Sequence, residues 1–409
     1  MPRTRGGTAW RWVTDGDRDM IADVIVVGLG AVGAASLYQL AKSGARVVGV
    51  DRFAPPHRMG SSHGETRITR LAVGEGAVYA PLVQRSHAIW RDLEARSGTS
   101  LLQQSGALIL GTLANEALHH GKRAFIESTI AVAEQHGIAH EVLTADAIAR
   151  RFPQFRLCGD EIGYYEPEAG MVFPESCVAT QIAAARELGA SVCVNEEVRA
   201  VAQHGDVVTV RTDRETWRAR RCVVAAGPWV GTLLGGEIGR ITRVYRQALH
   251  WFAPAVPSDF SVEKFPVFIW LHGSQQDDYC YGFPLLPGAT GVKVATENYL
   301  DATDPDRVNR DVACAESEAM YRTHVAGRIA GLSAQVVRSE VCLYTVTPDG
   351  DFVIDWAPAM DRVLIVSPCS GHGFKHSAAL GEAIAQLCLD GGSAISLAPF
   401  ALGRVQLSA

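Results

Sequence analysis

The 409-residue chain lacks a long hydrophobic run, a basic tract, a paired cysteine spacing, an internal repeat and a low-complexity segment. Its longest apolar stretches, such as Ile21 to Leu29 and Val363 to Val366, are short or broken by polar residues and Gly, which argues against a transmembrane helix of about 20 residues. The formal charge of -6, with no Lys/Arg stretch interleaved with aromatics, makes nucleic acid an unexpected partner. The nine cysteines (158, 177, 193, 222, 280, 314, 342, 369 and 388) show no CxxC or metal-ligand spacing. Neither a metal centre nor a small disulfide framework is expected, and a reducing cytoplasm fits best. Met1 to Asp19 carries Arg3, Arg5 and Arg11 but no apolar core of signal-peptide length. Residues 1–19 are therefore expected to be a loosely held extension, or Met20 to be the natural start. A hydrophobic fraction of 47% with 20% charged residues describes a soluble globular chain of two or three domains.

What is present begins with Val24 to Val27, an apolar run suited to a strand buried on both faces. It runs directly into Gly28-Leu29-Gly30-Ala31-Val32-Gly33, a GxGxxG turn. Ala34, Leu37, Leu40 and Ala41 then recur at helical spacing, Gly44 suits a left-handed helix end, and Arg46 to Val50 rebuild a strand that closes on Asp51. Strand, glycine turn, helix, strand and terminal acid together form a dinucleotide-binding pattern. The glycines allow a tight turn and close approach to a pyrophosphate, the helix N-terminus faces its charge, and the acid reaches the ribose hydroxyls.

Farther along, Arg52 to Arg70 is a Pro/Gly/Ser-rich loop that turns basic and leads into a helix, with Arg67 and Arg70 on one side of a turn if that stretch is helical. Tyr79 to Leu93, Phe125 to His136 and Glu175 to Leu188 read as helices, and Thr144 caps another short one. Tyr164 to Met171 is a turn-rich crossing between domains. Cys222 to Val230 repeats the motif of a buried strand ending in a glycine turn. Val244–Phe252, Val267–Trp270, Tyr279–Phe283 and Gly291–Ala295 suggest an antiparallel sheet outside the Rossmann half, and 307–330 is expected to be helical. Glu340–Thr345 and Val363–Val366 are strands, and Ser370 to Lys375 is a third glycine turn, followed by the helix Ser377 to Leu389. The expected fold is α/β, α+β overall: a discontinuous Rossmann-type domain (20–100, 165–240 and 340–409) with an inserted domain of mixed or antiparallel sheet (101–164 and 241–339).

VIVVGLGAVG with Asp51, Pro55-Pro56-His57 with SSHGETRITR, VVAAGPWV, YGFP with GVK, CLYTVTPDGDFVID and SGHGFKHS occur in one order over nearly the whole chain. In these segments the sequence resembles the monomeric sarcosine oxidase and N-methyltryptophan oxidase family of FAD-dependent amine oxidases. The resemblance implies FAD, held by Gly28, Gly30, Ala31, Val32, Gly33, Asp51 and Arg52 at its adenosine and pyrophosphate end. It extends the cofactor site to Ser61, Ser62 and Thr66, to Val198, Ala226, Gly227 and Trp229, and to Gly371, Gly373, Phe374 and Lys375. It also implies a thioether between the flavin 8α-methyl carbon and Cys342, whose thiolate needs partial exposure and nearby positive charge.

By the same resemblance Arg67, His63 and His372 lie beside the flavin ring, and Lys293 lies over it to promote reaction with oxygen. Arg70 and Lys375 hold a substrate carboxylate, the guanidinium as a planar fork and the ammonium as a point charge. Tyr281 lines the substrate pocket. Glu297 stands where sarcosine oxidase has a histidine, so it either favours a substrate with a second cationic group or points to solvent. The implied activity is oxidation of a secondary or N-methyl amino acid by a monomer that uses molecular oxygen and releases an imine and hydrogen peroxide. A cyclic imino acid such as pipecolate, oxidised by an oxidase or dehydrogenase on this scaffold, and a non-catalytic flavin-binding subunit are the alternatives.

Overall fold

The computed structural model describes residues 21–112, 119–120, 122–275 and 277–405. The expectation for residues 1–19 lies outside them. Strands in chain order are β1 (Ala22–Val27), β2 (Val47–Asp51), β3 (Arg67–Thr69), β4 (Leu102–Gln104), β5 (Ala107–Gly111), β6 (Glu141–Thr144), β7 (Ile162–Glu166), β8 (Gly170–Val172) and β9 (Ser191–Val194). They continue with β10 (Val198–His204), β11 (Val207–Thr212), β12 (Thr216–Val224), β13 (Arg243–Pro254), β14 (Val267–Leu271) and β15 (Tyr279–Gly282). The last four are β16 (Val292–Ala295), β17 (Leu332–Val346), β18 (Val353–Ala357) and β19 (Met360–Ser367). The helices are α1 (Ala31–Lys42), α2 (Ala80–Ser97), α3 (Phe125–Gln135), α4 (Ala145–Arg151), α5 (Pro174–Glu187), α6 (Val230–Leu234), α7 (Gly236–Ile241), α8 (Cys314–Met320) and α9 (Ser377–Asp390). None of these helices is long and apolar enough to cross a membrane.

The first sheet has a parallel centre. β1 lies between β2 and β12, β9 flanks β2, and β19 flanks β12, all parallel. An antiparallel meander of β10 and β11 joins the early half of β12 and leaves its later half to β19, where Cys222 faces Val363. Alternate residues of β1 feed two cores. Val24 and Val26 pack with α1, α2, α5 and α9, while Ile25 and Val27 pack with Val208, Val210 and Trp217 on the meander side. From Val32 to Ala41 every residue of α1 is buried, as expected of a helix apolar on all sides and covered by neighbours on both flanks. This is a Rossmann-type arrangement, and its parallel strands converge on one edge where ligands bind.

The second sheet runs in the order β17-β13-β16-β15-β14-β5-β7-β6, antiparallel except where β14 and β5 run parallel. Cys342 and Tyr344 sit on β17 in this sheet, and β13 pairs along nearly its whole length. A small sheet, β3-β8-β4, stands beside the two.

Two local expectations change. Arg67 to Thr69 is a strand paired with Gly170–Val172, not a helical turn, because a partner about a hundred residues away supplies its hydrogen bonds. The helix expected over 307–330 is confined to α8 and a π-helical turn, Tyr321–Val325, that continues it. The stretch before α8 is a turn followed by irregular chain and spends its backbone groups on other segments. The turn-rich crossing resolves into β7, a short turn and β8, which carry the chain from the second sheet to the small one.

Candidate active site

A cleft opens where the parallel strands of the first sheet end, roofed by parts of the second. Gly28 has φ +86°, and a Cβ there would lie 2.5 Å from the Ala225 carbonyl oxygen. A Cβ on Gly33 would lie 1.7 Å from the Gly28 oxygen, so both positions need glycine for the turn to close on α1. Asp51 is buried at the end of β2. Its two oxygens accept the Leu29 N–H at 2.7 Å and the Phe53 N–H at 2.8 Å, which locks the carboxylate across the turn. Ser62 Oγ accepts the Ala31 N–H at 3.0 Å over the first turn of α1, where the helix dipole favours negative charge.

Gly30, Ala31 and Val32 line the same cleft, as do Arg52, Ser61 and Ser62. Val198, Ala226, Gly227 and Trp229 form the opposing lip, and Gly371, Gly373 and Phe374 line the far end with Tyr344, Cys369 and Arg67. Glycine-sized backbone, an acid at the end of β2 and a helix N-terminus suit the ribose and pyrophosphate of a dinucleotide. Gly33 lies beneath the turn, outside the cleft lining.

Behind the far end, Arg67 is fixed by donating to the Ser61 and Thr66 carbonyls, both at 2.8 Å. Lys293, on β16, is 3% exposed, and its Nζ approaches the Gly64 and Thr66 carbonyls at 2.8 and 2.9 Å and the Thr66 hydroxyl at 3.3 Å. Burial, with the Arg67 charge beside it, holds the Lys293 pKa well below the usual lysine range. Cys342 is fully buried rather than partly exposed. Burial pushes its thiol up, and the Arg67 and Lys293 charges pull the other way. His63 is buried with Nδ1 3.5 Å from Glu340, and burial lowers its pKa with Glu340 opposing. Tyr281, on β15, lies near Cys342 and Arg67.

A second cluster adjoins this one. Arg70 Nη2 donates to Glu75 Oε2 at 2.6 Å, and Lys375 Nζ sits 3.5 Å from Glu75 Oε1 while donating to the His372 carbonyl at 2.9 Å. The two cations assigned to a carboxylate thus flank one buried carboxylate of the chain itself. Burial alone would raise the Glu75 pKa, but Arg70, Lys375 and His120 hold it well below the carboxylate range. Burial brings the Lys375 ammonium down to about 8, with Glu75 opposing. His120 bridges two acids, with Nδ1 3.1 Å from Glu75 and Nε2 3.0 Å from Glu297. Burial disfavours its charged form, yet these partners raise it to about 9. Glu297, despite burial, is held down to about 2 chiefly by His120, and it also accepts from the Tyr299 hydroxyl.

Glu297 therefore neither points to solvent nor waits for an external cation, because His120 already neutralises it. His372 Nε2–H donates to the Gly350 carbonyl at 3.0 Å, and burial pulls its pKa to about 3, so the ring is neutral at pH 7. Gly371, at φ +83°, lies against this cluster. A Cβ there would meet His120 Nε2 at 2.8 Å and Glu297 Oε1 at 3.0 Å.

The matching family model, FAD dependent oxidoreductase, covers residues 23–387. The chain belongs to the FAD-dependent oxidoreductase family. This oxidoreductase is 33% identical over 384 residues to the monomeric sarcosine oxidase of Bacillus sp. strain NS-129, covering 93% of this chain and 96% of the relative. It is 32% identical over 396 residues to the N-methyl-L-tryptophan oxidase of Yersinia pestis strain Pestoides F, covering 93% and 99%. The open form of NikD, described as an unusual amino acid oxidase essential for nikkomycin biosynthesis, superposes with a TM-score of 0.79 at 26% identity, covering 93% of this chain and 97% of that one.

Sequence reasoning missed Glu75, His120 and Glu175 in this oxidoreductase. Glu175 Oε1 accepts the N–H groups of Gly64 and Glu65 at 2.7 and 3.2 Å and so shapes the loop that carries His63 and Arg67. Glu75 left one local signal, an acid between two glycines five residues past Arg70. His120 left none.

Proposed function

We propose that the protein oxidises the C–N bond of a secondary or N-methyl amino acid, with FAD as electron acceptor and oxygen as the final oxidant, giving an imine and hydrogen peroxide. The observation that carries this is the buried trio of Arg70, Lys375 and Glu75 next to the far end of the cleft. With Lys375 protonated, the cluster formed with His120 and Glu297 holds one positive charge in excess. A single substrate carboxylate neutralises that excess, since a buried charge is costly until it is paired. Arg70 and Lys375 bind and orient that carboxylate, while Glu75 keeps both cations in place. Neutral His372 keeps the substrate side free of a further charge. No side chain is required as an obligatory base.

FAD, when bound, supplies the redox chemistry. Gly28, Gly30 and Asp51 would hold its adenosine and pyrophosphate half. Cys342, between Arg67 and Lys293, is proposed as the covalent attachment point, and Lys293 as the fixed charge that promotes reaction with oxygen. The working form is proposed to be a cytoplasmic monomer. Anaerobic mixing with a panel of N-methyl and cyclic amino acids, followed by air, tests the activity. Bleaching by N-methyl or other secondary amino acids with recovery in air is expected, and a flavin that no carboxylate-bearing amine reduces would overturn the reading. Acid precipitation tests the link, because free yellow flavin in the supernatant over a colourless pellet rejects Cys342 attachment.

A further inference from the structure

At the adenosine end of the cleft a segment arrives from the second sheet. Residues 303–311 are rooted on β13 at both ends. The Thr303 N–H donates to the Val244 carbonyl at 2.7 Å, and Arg246 donates to the Asn309 and Asp311 carbonyls, each at 2.8 Å. Between these roots the chain makes a tight turn in which Asp304 Oδ1 accepts the Asp306 N–H at 2.9 Å, turning the Asp306 side chain to the cleft. There Asp306 Oδ1 accepts from Arg52 Nη1 at 2.5 Å and from Trp229 Nε1 at 2.8 Å.

Those two partners belong to opposite lips. Arg52 follows β2 and Asp51, whereas Trp229 follows β12 and the second glycine turn. One carboxylate therefore bridges the two lips at the point where the Phe53 and Trp229 rings meet, 5.7 Å apart. Arg310 adds a second tie by donating to the Met59 and Arg58 carbonyls at 2.7 and 3.2 Å. The Arg52 guanidinium lies 5.5 Å from the centre of the Phe53 ring and 5.8 Å from that of Trp229, and its Nε is 3.5 Å from Glu197. The Phe53 and Trp229 rings lie 5.7 Å apart, so the guanidinium and the two rings form one cluster of planar groups, a low-entropy surface suited to a purine. Although partial burial works in the other direction, Trp229 and Arg52 lower the Asp306 pKa, so the tie is charged at neutral pH.

We propose that residues 303–311 form a clasp over the adenosine half of FAD, in which Asp306 closes the two lips and so controls how fast the cofactor enters and leaves. The clasp is a cofactor-binding element contributed by the second sheet, and it acts at the end of the cleft remote from the charged cluster. Because both Asp306 and Arg52 keep partial solvent access, at 46% and 33% of their side-chain surface, the tie can open without unfolding either sheet.

The test uses full-length protein carrying Cys342→Ser, so that a covalent link cannot mask release. FAD exit is followed by the recovery of flavin fluorescence after dilution, and entry by its quenching when FAD is added to the apoprotein. Asp306→Ala is expected to speed exit about tenfold, and Asp306→Asn, which keeps the shape but loses the charge, to fall between it and the parent. Lys264→Ala, at an exposed side chain outside both the clasp and the cleft lining, should leave the rate unchanged. Melting of the apoprotein is measured alongside to separate a loosened clasp from a loosened fold. If Asp306→Ala does not fold, Asp306→Asn and Trp229→Phe decide. Exit and entry at the parental rates in folded Asp306 variants would overturn the clasp, as would an equal acceleration by Lys264→Ala.

Discussion

The two ends of the active-site region are built in different ways. The adenosine end is made of backbone: Gly28 at positive φ, Gly33 pressed against its oxygen, and an aspartate locked by two amide protons. The other end is made of buried charge, with Arg70, Glu75, Lys375, His120 and Glu297 arriving from four separate segments and satisfying one another. The first fails when atoms no longer fit, and the second when charges no longer balance. The two ends therefore respond to different perturbations.

The largest effect is expected at the backbone end. Gly28→Val puts a branched side chain at φ +86° and 2.5 Å from a carbonyl oxygen, a clash and strain worth about 3 kcal/mol or more. The purified protein should contain almost no flavin by absorbance and should melt lower, and a full complement of flavin would contradict the close-packed turn. At the charged end, Arg70→Ala removes one partner of a buried pair at a cost of about 3 kcal/mol. Apparent affinity for every carboxylate substrate should fall about a hundredfold in anaerobic titrations while flavin content stays normal. Unchanged affinity would remove Arg70 from substrate binding.

Lys293→Met sharpens the contrast inside the reactive end, because it takes away the buried amine proposed to act on oxygen without touching the carboxylate cluster. Flavin reoxidation should slow about a hundredfold, far more than reduction, when the two half-reactions are followed separately by stopped flow. Equal slowing of both would count against its role with oxygen. The smallest effect is a pH dependence. Since the Lys375 pKa is lowered to about 8, its ammonium is lost as pH rises through 8, and the affinity for a carboxylate inhibitor should weaken there rather than near 10. Lys375→Arg keeps the charge and should abolish the break, and a break that survives in this variant would have to come from another group.

How far the sequence foretold these ends follows from the same difference. The glycine turn, α1 and Asp51 lie within one short stretch, and their spacing states the geometry directly. Lys293, Cys342 and Lys375 came through resemblance, which supplies positions but not surroundings, so the complete burial of Cys342 was not foreseen. The Glu75–His120–Glu297 chain joins residues 45 and 177 positions apart, and no local pattern encodes such a meeting. Arg67 to Thr69 misled for a related reason: three residues whose partner strand is remote carry no reliable local period. The irregular run before α8 has a composition that permits a helix, whereas its polar groups are committed to β13 and the cleft lips.

The first sheet places its earliest strand between the next strand to be made and a late arrival. β1 ends at Val27, but its neighbour β12 forms only after residue 216, and β19 and α9 complete the wall from residue 360 onward. A nascent chain stopped before that point has the glycine turn but lacks residues 366–374, which line the far end of the cleft, so the cofactor cleft is complete only when synthesis is nearly finished. Until then the apolar face of α1 awaits α9, and that interval, rather than the finished enzyme, is when this chain most needs protection from aggregation.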